Sequence, residues 1–107
     1  MPDARVVLTA VGSDDAAALL AKSLVERRLA ACVNILGPIR SIYRWKDAVH
    51  DEQEYLLIVK TTGERAAELE AAFAELHPYE LPERVELSIE GGSAGYLDWL
   101  VAQVPRE

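Results

Sequence analysis

Cys32-Val33-Asn34-Ile35-Leu36-Gly37-Pro38-Ile39-Arg40-Ser41-Ile42-Tyr43-Arg44-Trp45-Lys46-Asp47, followed three residues later by Asp51-Glu52-Gln53-Glu54-Tyr55-Leu56-Leu57-Ile58-Val59-Lys60-Thr61-Thr62, decides the fold. Both runs are rich in the β-branched and aromatic residues that suit a pleated sheet. The first covers 16 positions, and fully extended it would reach roughly 50 Å at about 3.3 Å per residue. A domain of this size has a radius of gyration of about 13 Å and measures roughly 35 Å across. Most strands hold about 5–6 residues. A hairpin of that reach overhangs its own domain and carries Ile42, Tyr43, Trp45 and Tyr55 into water. Another copy of the same chain is the expected cover.

Within the first arm, Gly37-Pro38 removes a ladder donor and marks a bulge or bend. Beyond it Ser41, Tyr43 and Trp45 share one face, with Arg40, Ile42, Arg44 and Lys46 on the other. Lys46–Asp51 is expected as the tip, and Glu52 and Glu54 lead into the apolar stretch Tyr55–Val59. Upstream, Arg5–Val11 reads as a strand covered on both faces and ended by Gly12. Ser13-Asp14-Asp15 supplies a cap and early negative charge. Ala17, Leu20, Ala21, Leu24 and Val25 then recur at helical spacing, so a first helix is expected to about Leu29. Downstream, Thr61-Thr62-Gly63-Glu64 fits a capping box with Thr61 as cap. Ala66, Leu69, Phe73 and Leu76 mark a second helix stopped by Pro78. Val85, Leu87 and Ile89 alternate with Glu86, Ser88 and Glu90, the pattern of a half-buried strand. Gly91-Gly92-Ser93 turns the chain into a last helix bearing Tyr96, Trp99 and Leu100.

The element order is therefore β-α-β-β-α-β plus a C-terminal helix, an α+β chain of the ferredoxin-like split βαβ type, in one domain over residues 1–107. Such a sheet carries both main helices on one face. Its other face stays open in a monomer, a second reason to expect self-association.

Half of the 107 residues are hydrophobic and 27% are charged, with 11 basic against 18 acidic side chains and a net charge of −7. Nucleic acid and anionic membranes are poor partners for that sign; cations or a basic surface suit it better. One cysteine forms no disulfide within the chain. With no signal-peptide pattern and no bilayer-length apolar stretch, a cytoplasmic location is expected.

Few residues offer chemistry. Cys32, at a helix-to-strand junction, is either a buried small residue or a soft ligand for copper(I) or another thiophilic ion. His77, at the end of the second helix, either complements the helix dipole or acts as a ligand. No CxxC or HxxH spacing supports a metal motif. Glu54, Lys60, Tyr79, Glu80 and Glu83 stand out as polar groups flanking apolar segments, where a buried charge needs a partner. Glu54 and Lys60 share a strand face but lie about 20 Å apart along it, so they do not pair within one subunit. Gly91-Gly92-Ser93-Ala94-Gly95 lacks the lysine and spacing of a phosphate loop. No GxSxG or other nucleophile–base spacing is present.

Taken together, Leu29-Ala30-Ala31-Cys32-Val33-Asn34, Ser41-Ile42-Tyr43-Arg44-Trp45, Glu54 through Thr62, His77-Pro78-Tyr79-Glu80-Leu81-Pro82-Glu83 and Tyr96-Leu97-Asp98-Trp99-Leu100 resemble the CutA-type divalent-cation tolerance proteins. The resemblance implies a ferredoxin-like subunit assembled as a homotrimer similar to the nitrogen-regulatory PII-type proteins, with hairpins packed across subunits. It further implies a non-enzymatic role in tolerance of copper and other divalent ions, with no required cofactor and a possible bound copper or other divalent metal. On that basis Cys32 and His77 are candidate metal ligands. Trp45, Glu54, Lys60, Tyr79 and Glu83 are candidates for a cleft between subunits, and Ile42, Tyr43, Trp45, Tyr55 and Trp99 for the oligomer interface. Asp47 stands where the family often has glycine, and the single cysteine rules out a multi-thiol copper site in one subunit.

Two other readings compete. A PII-like signalling module would hold a small anionic ligand in the inter-subunit cleft near Trp45, Lys60 and Tyr79. An acylphosphatase-like enzyme would need an arginine and backbone donors after the first strand, where Asp14 and Asp15 instead repel phosphate. RNA recognition fails on charge and on the lack of aromatics in the inner strands.

Overall fold

The structure, a computed structural model, describes residues 3–105. Its elements are β1 (Ala4–Val11), α1 (Asp14–Glu26), β2 (Cys32–Trp45), β3 (Ala48–Thr62), α2 (Ala66–Leu76), β4 (Val85–Ser88) and α3 (Ala94–Gln103), with a 3-10 turn at Gly63–Arg65. The four strands form one sheet in the order β2-β3-β1-β4. Every neighbouring pair is antiparallel. The element order is the one expected, and the long hairpin is real. The molecule extends 43 Å along one axis and only 26 and 23 Å along the others.

Side chains alternate across the sheet. Val7, Val11, Leu57 and Val59 are buried beneath Leu20 and Leu24 of α1 and Leu69 and Phe73 of α2. Full burial of each such aliphatic side chain is worth about 1.5–3 kcal/mol, and this layer is the main core. The opposite parity (Val6 and Leu8 of β1, Leu56 and Ile58 of β3) is only half-buried. α3 covers one corner of that second face. Leu100 packs on Ala4 and Ala31, and the Lys60 ammonium lies 5.7 Å from the ring centre of Tyr96. β1 is thus covered on one face and partly open on the other, not covered on both.

Several local expectations need correction. The hairpin tip is two residues, Lys46 and Asp47, with φ of 49° and 64°, so the return arm begins at Ala48 rather than after Asp51. Positive φ at both positions is the two-residue turn whose twist matches the flanking strands, and Asp47 adopts it without glycine. α1 ends at Glu26, with Arg28 at φ 58°. Ser13 does cap it, accepting from the Ala16 N–H at 3.1 Å. Thr61 is not a cap: its hydroxyl is buried and donates to the Leu29 carbonyl at 2.7 Å, which ties β3 to the chain leaving α1. In β4 the apolar side faces outward, leaving Val85 47% and Leu87 48% exposed. By register these two stand beside Leu8 and Val6 on the helix-free face. Glu86 points the other way, paired with Arg5 at 2.8 Å and with Arg84.

A bulge sits where glycine and proline placed it. The register shifts between Leu36 and Ile39, so Gly37 and Pro38 together oppose Tyr55. The Gly37–Pro38 peptide is cis. A Cβ at Gly37 would lie 2.3 Å from the Tyr55 ring. Tyr55, expected in water, instead packs against the main core. Gly37→Ala should therefore lower unfolding stability by about 1–3 kcal/mol, as overpacking does. Urea denaturation at fixed protein concentration checks this, and an unchanged midpoint would show that the ring yields freely.

Candidate functional site

The bulge decides which side chains face together. Before it, Cys32, Asn34 and Leu36 share the helix-free face with Lys60, Ile58 and Leu56. The extra residue reverses the phase. After it Ile39, Ser41, Tyr43 and Trp45 take that face, opposite Glu54, Glu52, His50 and Ala48. Tyr43 and Trp45 thereby stand over the carboxylates of β3. Tyr43 stacks on His50, ring centres 5.2 Å apart and 12° from parallel, and its hydroxyl donates to Glu52.

The segment after α2 closes the other side. Together they enclose an open cleft of about 930 Å³, walled by Tyr43 and Trp45 of β2, Glu52 and Glu54 of β3, and Tyr79, Glu80 and Glu83 of the loop. The Tyr79 hydroxyl donates to Glu54 Oε2 at 2.7 Å, which satisfies a carboxylate only 7% exposed. Gly12 admits that hydroxyl; a Cβ there would touch it at 3.4 Å. Lys46 at the hairpin tip reaches Glu80 at 3.5 Å. Both groups are exposed, so this pair adds little stability.

Among the described residues four carboxylates line the cleft, and no lysine, arginine or histidine does. Burial, then the bond to Glu54, holds the Tyr79 phenol well above the ordinary tyrosine range. The Tyr43 phenol is raised to about 12, chiefly by its bond to Glu52.

His77 lies behind the cleft wall, 8% exposed. Its main-chain N–H closes α2 on the Phe73 carbonyl at 2.9 Å. Nδ1 accepts the Tyr79 N–H at 3.2 Å, and Nε2 lies 2.9 Å from Thr9 Oγ1. With Nδ1 accepting, the ring proton sits on Nε2 and is donated to Thr9. Burial pushes His77 below the usual histidine range, partly opposed by the Ala10 main chain and by Glu54.

Of the five sequence-predicted cleft residues, Trp45, Glu54, Tyr79 and Glu83 come together. Lys60 does not: it lies beside Cys32 in register and under Tyr96, outside the cleft. Cys32 and His77 are not brought together either. Cys32 is on the helix-free face, with Asn34 Oδ1 3.7 Å from its sulfur. His77 is on the helix face, bonded to Thr9 with both ring nitrogens engaged. Within one chain the two do not fit a shared metal. Among the described residues no group of three or more His, Cys, Asp or Glu side chains could hold a metal ion. Of the expected interface residues, Ile42 is 65% exposed and Tyr43 and Trp99 remain accessible, whereas Trp45 faces the cleft and Tyr55 the core. Glu52 is a cleft residue that the sequence reading did not single out, and Glu80 was singled out there but not assigned to the cleft. Alternation with Glu54 along one strand is the signal that would have found Glu52.

The family model described as CutA1 divalent ion tolerance protein matches residues 5–103. A divalent-cation tolerance protein CutA of Thermus thermophilus is 52% identical over 96 residues, 90% of this chain and 93% of that one. A CutA homolog of Xenopus laevis is 42% identical over 87% of this chain, which spans 62% of that protein. Among solved structures, the Thermus thermophilus Cut A1 protein superposes with a TM-score of 0.92 at 48% identity, over 95% of this chain and 99% of that one. One titled PII-like protein CutA, from Nostoc sp. PCC 7120, gives 0.88 at 32% identity over 96% and 99%.

Alkaline titration tests the tyrosine–carboxylate contacts. A phenol whose folded pKa is raised contributes stability below pH about 10, and that contribution is lost as pH rises through the folded value. Phenolate absorbance should show Tyr43 ionising near pH 12 and Tyr79 later still, with the last component absent in Tyr79→Phe. Ionisation of Tyr79 near pH 10 would mean that it does not hold Glu54.

Proposed function

This chain belongs to the family of CutA1 divalent ion tolerance proteins, and on that premise we propose that it supports divalent-cation tolerance as a non-enzymatic homotrimer whose acidic clefts receive the ion. One observation carries the reading: among the described residues Glu52, Glu54, Glu80 and Glu83 converge on a cleft with no basic side chain in its lining, Lys46 reaching Glu80 only from the hairpin tip. Such a wall concentrates cations by its field. Carboxylate oxygens favour hard or borderline ions, so copper(II) and zinc(II) suit it better than copper(I). With too few donors in one chain for chelation, the ion keeps much of its water. Weak binding is expected, tightening where a neighbouring copy adds a donor.

Self-association is supported by the helix-free face, where Leu36, Val85 and Leu87 are exposed, and by Ile42 on the projecting hairpin. Contiguous apolar surface of this kind usually marks an interface. Three-fold symmetry rests on the family. Among the described residues no helix is long and apolar enough to cross a membrane. The working compartment in this reading is the cytoplasm, where the single thiol of Cys32 stays reduced; one related structure, from Archaeoglobus fulgidus, is titled periplasmic. A PII-like signalling role with an anionic ligand in the same cleft is the weaker reading, because the four carboxylates repel anions and Lys60 lies elsewhere.

Light scattering should report a particle of three times the 11.8 kDa chain mass. Calorimetric titration at pH 7.5 with copper(II) and with zinc(II) should show saturable heat that weakens several-fold in Glu52→Gln/Glu83→Gln. A monomer removes the trimer, and absence of heat from either ion removes direct binding.

A further inference from the structure

We propose that His77 is a proton-operated latch on the cleft: neutral, it holds the Pro78–Glu83 wall closed through the Tyr79 amide, and protonated, it releases that wall. The proposal concerns regulation of the cleft and rests on the reading that the cleft is the functional surface.

The wall begins two residues after α2 ends at Leu76, and Pro78 has no N–H of its own to contribute. Its first main-chain anchor is therefore the Tyr79 N–H, which His77 Nδ1 accepts at 3.2 Å. The second anchor is the Tyr79 hydroxyl on Glu54 at 2.7 Å. Both belong to the same residue, so loss of the first frees the second to swing. Only a neutral imidazole has a lone pair on Nδ1. Protonation turns Nδ1 into a donor that faces another donor, and it places a charge on a ring that is 8% exposed.

Little around the ring compensates that charge. β1 presents the Thr9 hydroxyl and the Ala10 main chain. α2 presents the Phe73 ring, 5.7 Å away, and the wall itself presents the Tyr79 ring at 5.2 Å. β3 presents Glu54, whose field favours the cation but whose Oε2 already accepts from Tyr79. The imidazolium is best relieved by leaving the site or by drawing Glu54 away from Tyr79, and either event opens the wall. Burial holds the folded ring neutral and a freed histidine titrates near pH 6.5, so the closed state binds fewer protons than the open one. The opening equilibrium then rises by up to tenfold for each pH unit below about 6.5, until the pH reaches the closed-state value.

Amide hydrogen exchange on the full chain, corrected for intrinsic rates, tests this without any ligand. Failure of the latch is thus separate from failure of the cation reading, which is measured at pH 7.5 where the latch is shut. Protection of the Tyr79 amide should fall by up to about fivefold between pH 6.5 and 5.5, while the Leu57 amide in the doubly paired part of β3 keeps its protection. His77→Gln should abolish that pH dependence, and His50→Gln should leave it intact. Nitrogen shifts of the wild-type imidazole should report the Nε2–H tautomer at pH 7.5, a readout that does not need the variant to fold. The proposal is overturned by flat Tyr79 protection down to pH 5, by acid sensitivity that survives in His77→Gln, or by an Nδ1–H tautomer at neutral pH.

Discussion

Double pairing of β3 is the constraint on which the rest of the molecule depends. From Leu56 to Lys60 this strand hydrogen-bonds to β1 on one side and β2 on the other. Its main-chain groups are therefore satisfied where Leu57 and Val59 lie fully buried, the condition for burying backbone at all. From Ala48 to Glu54 the same strand pairs with β2 alone. The inner half belongs to a closed core, and the outer half to a two-stranded ribbon that is marginal in water without further support. The passage from one regime to the other falls at the bulge opposite Tyr55.

That position couples folding to the site. One extra residue reverses the side-chain phase of β2, so the face that carries Cys32, Asn34 and Leu36 near the core carries Ser41, Tyr43 and Trp45 further out. Aromatic rings thus come to stand over Glu52 and Glu54. The Tyr55 ring, seated where a Cβ on Gly37 would be, spans the joint from the core side. The loop from Pro78 to Glu83 adds the opposite wall, pinned at Tyr79 between a buried histidine and a buried carboxylate. An acidic, aromatic cleft follows from strand phase and loop anchoring, with no dedicated metal-ligating motif behind it.

Uncovered apolar surface is the other consequence. β4 lays Val85 and Leu87 against the helix-free side, continuous by register with Leu8 and Val6, and α3 shields only the corner near Ala4 and Lys60. A chain that left this surface wet would forgo about 25 cal/mol for each Å² that burial removes from water. Self-association, as proposed, would cover it and would also shelter a β2 edge whose outer N–H and C=O groups are otherwise open to water.

Periodicity and punctuation in the sequence determined the element order, the C-terminal end of α2, the cap at Ser13, the bulge at Gly37-Pro38 and the reach of the hairpin. All of these arise from neighbours within a few residues, where propensity, capping and sterics act. The segments Ser41–Trp45 and His77–Glu83 were also legible by their resemblance to the family, and residues of both line one cleft. Only the tertiary structure decided which side of the sheet each alternation faced. It set β4 outward, Tyr55 inward and Lys60 under Tyr96, outside the cleft. It also put Cys32 and His77 on opposite faces and joined Tyr79 to Glu54 across 25 residues. Alternation says that two sets of side chains part company, but it does not say which set meets the helices. That choice is made by long-range packing and by a register that a single inserted residue can invert.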